Sequence, residues 1–359
     1  MHKDLTIVMP SFGECESLQK LLPEILDCSS NALSRIIVVD DNSTDGTSEF
    51  IKENSFNCDI ICINRLDRTG LSSAVIEGVM AADTKYIAVM DSDGQHDPSD
   101  LFAMHELIKK RDLDIIIGSR FVTNQQLDNH VGFRHTISKF GNRTANFLLK
   151  KELSDPMTGF FLFKRKIFVD QAHLIKPMGF KILLDFLFNI RNEAIKLEEF
   201  QINFRSRSAG ESKIAMDVIF SFVDQILNKA TNGIYPEKLS AYLFVGTLGI
   251  LFNYSALILT HIIFSLPYQI SQIIAVLFSM LTNFHLNNSI TFKRKKKIGW
   301  AYASGLILFL MINSIGFLAN INIAFYLYNN DNSWWLSSFV GVIAFTLISF
   351  LFSRFAIWK

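Results

Sequence analysis

Charge is scarce in this chain, and long stretches lack it altogether. Charged residues make up 19% of its 359 residues, against 49% hydrophobic. Residues 240–292, 298–330 and 332–353 contain no Asp, Glu, Lys or Arg. A helix crossing a bilayer needs roughly 20 apolar residues. The first run holds two such helices, divided at Ser265-Leu266-Pro267, and the others one each. Four such helices in series argue against an ordinary soluble fold for the second half. Spans are expected near 240–263, 268–291, 301–327 and 334–357. Cysteine is sparse too. Cys15, Cys28, Cys58 and Cys62 form no CxxC pair, which points to reduced thiols rather than a disulfide framework. The net charge of +1 names no partner and gives no reason to expect nucleic acid.

The start of the chain also lacks a signal-peptide pattern, because its first apolar run stops at Pro10. The first half is therefore expected on the cytoplasmic side. The basic run Lys293-Arg294-Lys295-Lys296-Lys297 lies between spans two and three, and basic loops stay cytoplasmic. Four spans then return the C-terminus to the same side. The opposite loops, 264–267 and 328–333, carry no Lys or Arg. The expected division is a cytosolic domain over 1–212, an interfacial helix and linker over 213–235, and a membrane domain over 236–359.

What the first half contains is a regular alternation. Apolar, β-branched runs at 5–9, 35–39, 60–63, 86–90 and 114–118 read as strands. Helical spacing intervenes at 17–26, 47–54, 71–82 and 98–110, the last opening on Pro98. Strands this apolar are buried on both faces, so the pattern predicts an α/β fold with a mostly parallel, Rossmann-like sheet. Ligands of such sheets sit beyond the carboxyl ends of the strands. Polar clusters follow those ends at 11–14, 40–43, 91–95 and 119–120. No GxGxxG follows the first strand, which argues against a dinucleotide.

Asp91, Ser92, Asp93 and Gln95 follow the fourth strand directly. Two carboxylates two residues apart, with an amide oxygen two further on, suit a hard cation that shares its shell with water and phosphate. Asp41 and Glu14 are each open to two readings, a contact with a base or ribose or the capping of a following helix. Arg120 ends the fifth strand. Arg134, Lys139 and Arg143 alternate with apolar residues over 133–151, the pattern of a basic amphipathic helix at a membrane surface. Residues 214–227 repeat an amphipathic stripe, at an interface or against the protein. Arg205, Arg207 and Lys213 place more cations ahead of the spans. Arginine takes phosphate in a bidentate grip, lysine as a point charge.

The chain resembles the dolichol-phosphate mannose synthases, inverting family-2 glycosyltransferases of the GT-A fold, in the form fused to a GtrA-like membrane domain. The resemblance rests on MPSFGE (9–14), VVDDNSTDGT (38–47), GLSSAVIEG (70–78), MDSDGQHDP (90–98), IGSRF (117–121), SDPMTGFFLFKR (154–165), GFKILLD (179–185) and GESK (210–213). In the membrane half FVGTLGILFNYSAL and NFHLNNSITF carry it. It implies nucleotide contacts for Pro10, Phe12, Glu14, Val39 and Asp41. Asp91, Ser92, Asp93 and Gln95 would hold Mg2+ or Mn2+ and the diphosphate, with Asp93 and Gln95 as direct ligands. Arg120, Arg134 and Ser138 would receive a lipid phosphate. Lys181, Lys213 and either Arg205 or Arg207 would close over the donor. The family's aromatic-Asn-Glu and DADLQ stand here as Phe12-Gly13-Glu14 and DSDGQ.

On that resemblance the partners are a nucleotide sugar, a polyprenyl or dolichyl phosphate and membrane lipids. GDP-mannose leads as donor, with UDP-glucose as the alternative. A phosphate acceptor needs no general base, so Asp91 is expected to orient rather than deprotonate. A processive polysaccharide synthase would carry QxxRW, which is lacking here. A non-catalytic lipid-sugar carrier would use polar residues such as Asn283, Asn287, Asn288, Asn313 and Asn320 along a path. Interhelical hydrogen bonding is their commoner part.

Overall fold

A computed structural model describes residues 3–29, 32–66, 70–122, 133–175, 181–190, 194–205, 216–231, 234–236, 238–330 and 333–343. Two compact units divide the chain, Met1–Lys213 and Ile214–Lys359.

The first unit follows the alternation of its sequence. Strands β1 (Leu5–Ser11), β2 (Leu33–Asp40), β3 (Asp59–Asn64), β4 (Tyr86–Val89) and β5 (Ile115–Ser119) are joined through helices α1 (Cys15–Cys28), α2 (Thr47–Glu53), α3 (Leu71–Ala81) and α4 (Pro98–Arg111). Helix α5 (Phe133–Leu149) comes next. It is followed by β6 (Phe161–Lys164), α6 (Arg165–Gln171), α7 (Ile182–Asn189) and β7 (Leu197–Gln201). The seven strands run in the order β3-β2-β1-β4-β6-β5-β7. All pairings are parallel except those of β6, which lies antiparallel between β4 and β5. Strands β1 and β5 are buried along their whole length, as continuous apolar runs require. Burying each Ile, Val or Leu contributes about 1.5–3 kcal/mol. The sheet therefore fixes the loops at its rim firmly.

Helix α4 shows how local chemistry sets an element. Asp97 is its N-cap and accepts the Ser99 N–H at 2.9 Å, and Pro98 opens the first turn. Lys109, Lys110 and Arg111 occupy the last turn, where the helix dipole favours cations. Helix α3 lies close over the sheet because Gly78 lacks a side chain. A Cβ there would fall 2.4 Å from Val8 Cγ1 and 3.1 Å from Val39 Cγ2. Gly78→Ala is expected to cost about 1–3 kcal/mol of stability through overpacking. A melting temperature of the full chain unchanged from wild type would contradict this.

The second unit holds helices α8 (Met216–Ala230), α9 (Leu239–Leu257), α10 (Tyr268–Leu286), α11 (Gly299–Asn329) and α12 (Trp334–Ile343). Among the described residues two helices, Leu239–Ile263 and Tyr268–Thr291 with their terminal π-turns, are long and apolar enough to cross a membrane. A third joins them if Gly299–Ser314 and Gly316–Asn329 count as one span. The fourth expected span begins with α12, and its remainder lies outside the described residues. Polar side chains face inward. Gln272 Nε2 donates to Asn320 Oδ1 at 3.0 Å and to Ser338 Oγ at 3.4 Å, and Ser338 donates to Asn253 Oδ1 at 3.1 Å. Four helices are thus tied by side chains that lipid would not satisfy.

Candidate active site

Three loops at the carboxyl ends of β1, β2 and β4 are fastened to one another. Ser92 Oγ donates to the Pro10 carbonyl at 2.9 Å. The Gly13 N–H donates to Ser43 Oγ at 2.8 Å, and the Asp41 N–H to the Ser11 carbonyl at 3.0 Å. Ser43 is held in turn by the Asp40 carboxylate. Three of the four polar clusters read from sequence are therefore one rim.

Asp91, Ser92, Asp93 and Gln95 form the turn after β4. Ser92 and Asp93 are buried, and Asp91 is half-buried. Asp93 Oδ1 accepts the Gln95 N–H at 3.1 Å, which shapes the turn. Gly159 packs directly on Asp91, since a Cβ there would fall 2.3 Å from Asp91 Oδ2. His96 completes the setting. Its Nε2 lies 3.7 Å from the same oxygen, and its ring stacks on Phe160 at 4.6 Å between centroids. Neither Gly159 nor His96 stood out in the sequence, because a glycine or a histidine beside a motif has no periodic signature.

A basic group lies beyond this acidic turn. Arg120 Nε donates to Asp155 Oδ2 at 2.8 Å. Lys181 Nζ donates to the Met157 carbonyl at 3.1 Å. Burial pushes the Lys181 ammonium below the usual lysine range, against the upward pull of Asp91 and Asp155. Those attractions, and a repulsion from Arg120, bring Lys181 into one electrostatic neighbourhood with Asp91, Asp155 and Arg120.

Other expected residues fall less simply. Phe12 is exposed beside the rim, and Pro10 ends β1. Glu14 accepts from Ser17 Oγ at 3.2 Å at the start of α1. Val39 is wholly buried within β2. Asp41 is buried as well, pairing with Arg65 through one oxygen and accepting the Gly70 N–H at 3.0 Å through the other. Arg205 does not reach over the turn. Its guanidinium pairs with Glu24 at 2.6 Å and Asp97 at 2.7 Å, while its backbone N–H donates to the Gln95 carbonyl at 2.8 Å. Arg207 and Lys213 lie outside the described residues, as do the side chains of Arg134 and Ser138.

One chain thus carries a mostly parallel sheet with an acidic turn after its fourth strand and a set of apolar helices. Residues 6–170 match glycosyl transferase family 2, and residues 241–358 match the GtrA/DPMS transmembrane domain. The dolichol-phosphate mannosyltransferase of Pyrococcus furiosus is 31% identical, over 99% of both chains. That of Saccharomyces cerevisiae is 29% identical, over 74% of this chain and all of its own. The chain belongs to this family of dolichol-phosphate mannosyltransferases, and it is a membrane protein. Among solved structures, the glucosyl-3-phosphoglycerate synthase of Mycobacterium tuberculosis with Mn2+, UDP and phosphoglyceric acid superposes with a TM-score of 0.50. It is 14% identical, over 65% of this chain and 80% of that one, a likeness of fold.

Proposed function

We propose that the protein transfers one hexose, mannose from GDP-mannose, to dolichyl or another polyprenyl phosphate at the cytoplasmic membrane face. The observation that carries this reading is the pairing of an acidic turn with a cationic group at one rim. The turn of Asp91, Asp93 and Gln95 suits a cation with its diphosphate, Arg120 suits a second phosphate, and Lys181 adds positive charge over the donor. The family relatives named for dolichol phosphate and mannose support both substrates.

The donor set fits Mg2+ or Mn2+. Asp93 and Gln95 would be direct ligands, with Asp91 beside them. Among the described residues no group of three or more His, Cys, Asp or Glu side chains converges into a full cage. An incomplete set of oxygen ligands is what these cations use when water and substrate phosphates supply the rest. Such a cation offsets charge developing on the leaving nucleoside diphosphate.

The acceptor explains why no base is needed. A phosphate monoester has a second pKa of about 6, so at neutral pH it is already a nucleophile. Its oxygen attacks the anomeric carbon as the bond to the diphosphate breaks, from the opposite face. An α-linked donor then gives a β-linked lipid sugar. Arg120 and Lys181 lower the repulsion between two anionic substrates, while Asp91 orients. Pro10, Phe12 and Glu14 contact the nucleotide, together with Val39 and Asp41 from the neighbouring strand end. Arg207 and Lys213 close over the donor, and Arg134 and Ser138 join Arg120 at the lipid phosphate. Four spans, with the basic run 293–297 on the cytoplasmic side, keep the site where nucleotide sugars are found.

The depressed Lys181 ammonium has a consequence for pH. It loses its proton below the usual lysine range, so kcat/KM for the donor should fall on the alkaline side before an ordinary lysine would titrate. Lys181→Arg, whose guanidinium stays charged, should move that limb to higher pH. An unchanged alkaline limb would count against this part for Lys181.

The deciding experiment offers purified full-length protein GDP-mannose or UDP-glucose, each with a polyprenyl phosphate and Mg2+ or Mn2+. Mannose in the organic-extractable fraction is expected. Product from UDP-glucose alone would overturn the donor, and no product from either would favour a carrier.

A further inference from the structure

Arg120 is held more elaborately than a surface cation needs. Its side chain is 32% exposed, while Asp155, which accepts from its Nε, is 1% exposed. The guanidinium carbon also lies 5.1 Å from the Phe121 ring centre and 5.0 Å from that of Phe204. A guanidinium bound at Nε and flanked by rings has lost most of its rotational freedom. Among the described residues no hydrogen bond or ion pair engages its two terminal amino groups, which can then be offered to an anion.

Asp155 is itself anchored. Its N–H donates to Glu199 Oε1 at 3.3 Å. The Ser154 N–H and hydroxyl both reach the same oxygen at 2.8 Å. Glu199 sits on β7, in register with Ile117 of β5, and Ser119 at the end of β5 shares a hydrogen bond with the Ser154 hydroxyl. From α5, Asn142 Nδ2 donates to the Ser154 carbonyl at 2.9 Å. Two strands and a helix therefore fix the backbone that carries one buried carboxylate, and that carboxylate fixes one arginine.

We infer that Asp155 is a positioning residue: it holds the Arg120 guanidinium at Nε so that its outer edge meets the lipid phosphate, with Glu199 clamping the backbone behind it. The inference rests on the proposed acceptor role of Arg120 and adds to it. Sequence reading passed over Asp155 and Glu199 because nothing local links positions 120, 155 and 199. A purely structural ion pair would also be buried and hydrogen-bonded. What separates the two is whether the effect of Asp155 passes through Arg120.

A double-mutant cycle makes that separation. Arg120→Ala, Asp155→Ala, the double variant and the near-isosteric Asp155→Asn are compared with wild type in full-length protein. The KM for polyprenyl phosphate is expected to rise about tenfold or more in Asp155→Ala, the size of one charge-assisted hydrogen bond. The KM for the nucleotide sugar should change much less. In the Arg120→Ala background the added loss from Asp155→Ala should nearly vanish. Asp155→Asn, which can still accept from Nε, should recover part of the affinity. Calorimetric binding of nucleoside diphosphate by every variant shows that the site is folded. Additive losses, or a donor KM that rises as much as the acceptor KM, would overturn the inference. Turnover of the wild type with polyprenyl phosphate tests the underlying function separately. An Arg120→Ala variant with unchanged acceptor KM would refute the acceptor role of Arg120, and with it the positioning role of Asp155.

Discussion

Asp93→Ala is expected to lower hexosyl transfer by about a thousandfold, with little change in stability. Asp93 does two things that this substitution removes together. Its Oδ1 accepts the Gln95 N–H and so shapes the turn. Its carboxylate also supplies negative charge for a cation. Asp93→Asn separates these contributions, because an amide oxygen still accepts the N–H. If the residue only shapes the turn, asparagine should restore turnover. If it binds the cation, asparagine should stay nearly as inactive as alanine, because a neutral amide is the weaker ligand for a hard divalent ion. The measurement is labelled sugar in organic-extractable lipid across a titration of Mg2+ or Mn2+. Near-normal turnover in Asp93→Ala with unchanged metal dependence would refute the assignment.

The acidic turn was legible because it follows an apolar run that could only be a strand. Strands β1 to β5 announce themselves as apolar, β-branched runs, and all but β3 are closed by polar clusters. The last two strands do not. Phe161–Lys164 is too short to show a period, and its antiparallel place between β4 and β5 depends on distant partners. Leu197–Gln201 carries two glutamates in five residues and reads as a solvated segment. Both acids are used in three dimensions: Glu198 pairs with Arg111 at 2.6 Å, and Glu199 holds the 154–155 backbone. Arg205 illustrates the converse. Its charge suggested a grip on the donor, but Glu24 on α1 and the cap residue Asp97 are nearer in the fold than in the chain. The membrane helices were plain from missing charge. The contacts between Gln272, Asn320, Ser338 and Asn253 were not, because residue type alone does not tell a packed polar side chain from a path.

Gly159→Ala should be nearly as damaging to activity as losing a ligand, although it removes no functional group. The added methyl would fall 2.3 Å from Asp91 Oδ2 and 2.7 Å from its Cγ, far inside contact distance. The neighbour that must yield is the end of a side chain rather than backbone, so the fold has a way out. That way out moves the carboxylate. Asp91 has little room to turn, with His96 Nε2 on one oxygen at 3.7 Å and its own backbone fixed at the end of a buried strand. A misplacement of about 1 Å in such a site costs on the order of a hundredfold in rate. Gly118 provides the contrast. A Cβ there would meet Phe160 Cδ1 at 2.5 Å and the Phe160 carbonyl at 3.1 Å, inside the core. Gly118→Ala should therefore lower the melting temperature, whereas Gly159→Ala should leave it near wild type and weaken binding of nucleoside diphosphate with Mg2+ or Mn2+. Wild-type turnover and metal affinity in Gly159→Ala would mean that the orientation of Asp91 does not matter to transfer. Asp91 would then be a bystander to the ligands two and four residues on.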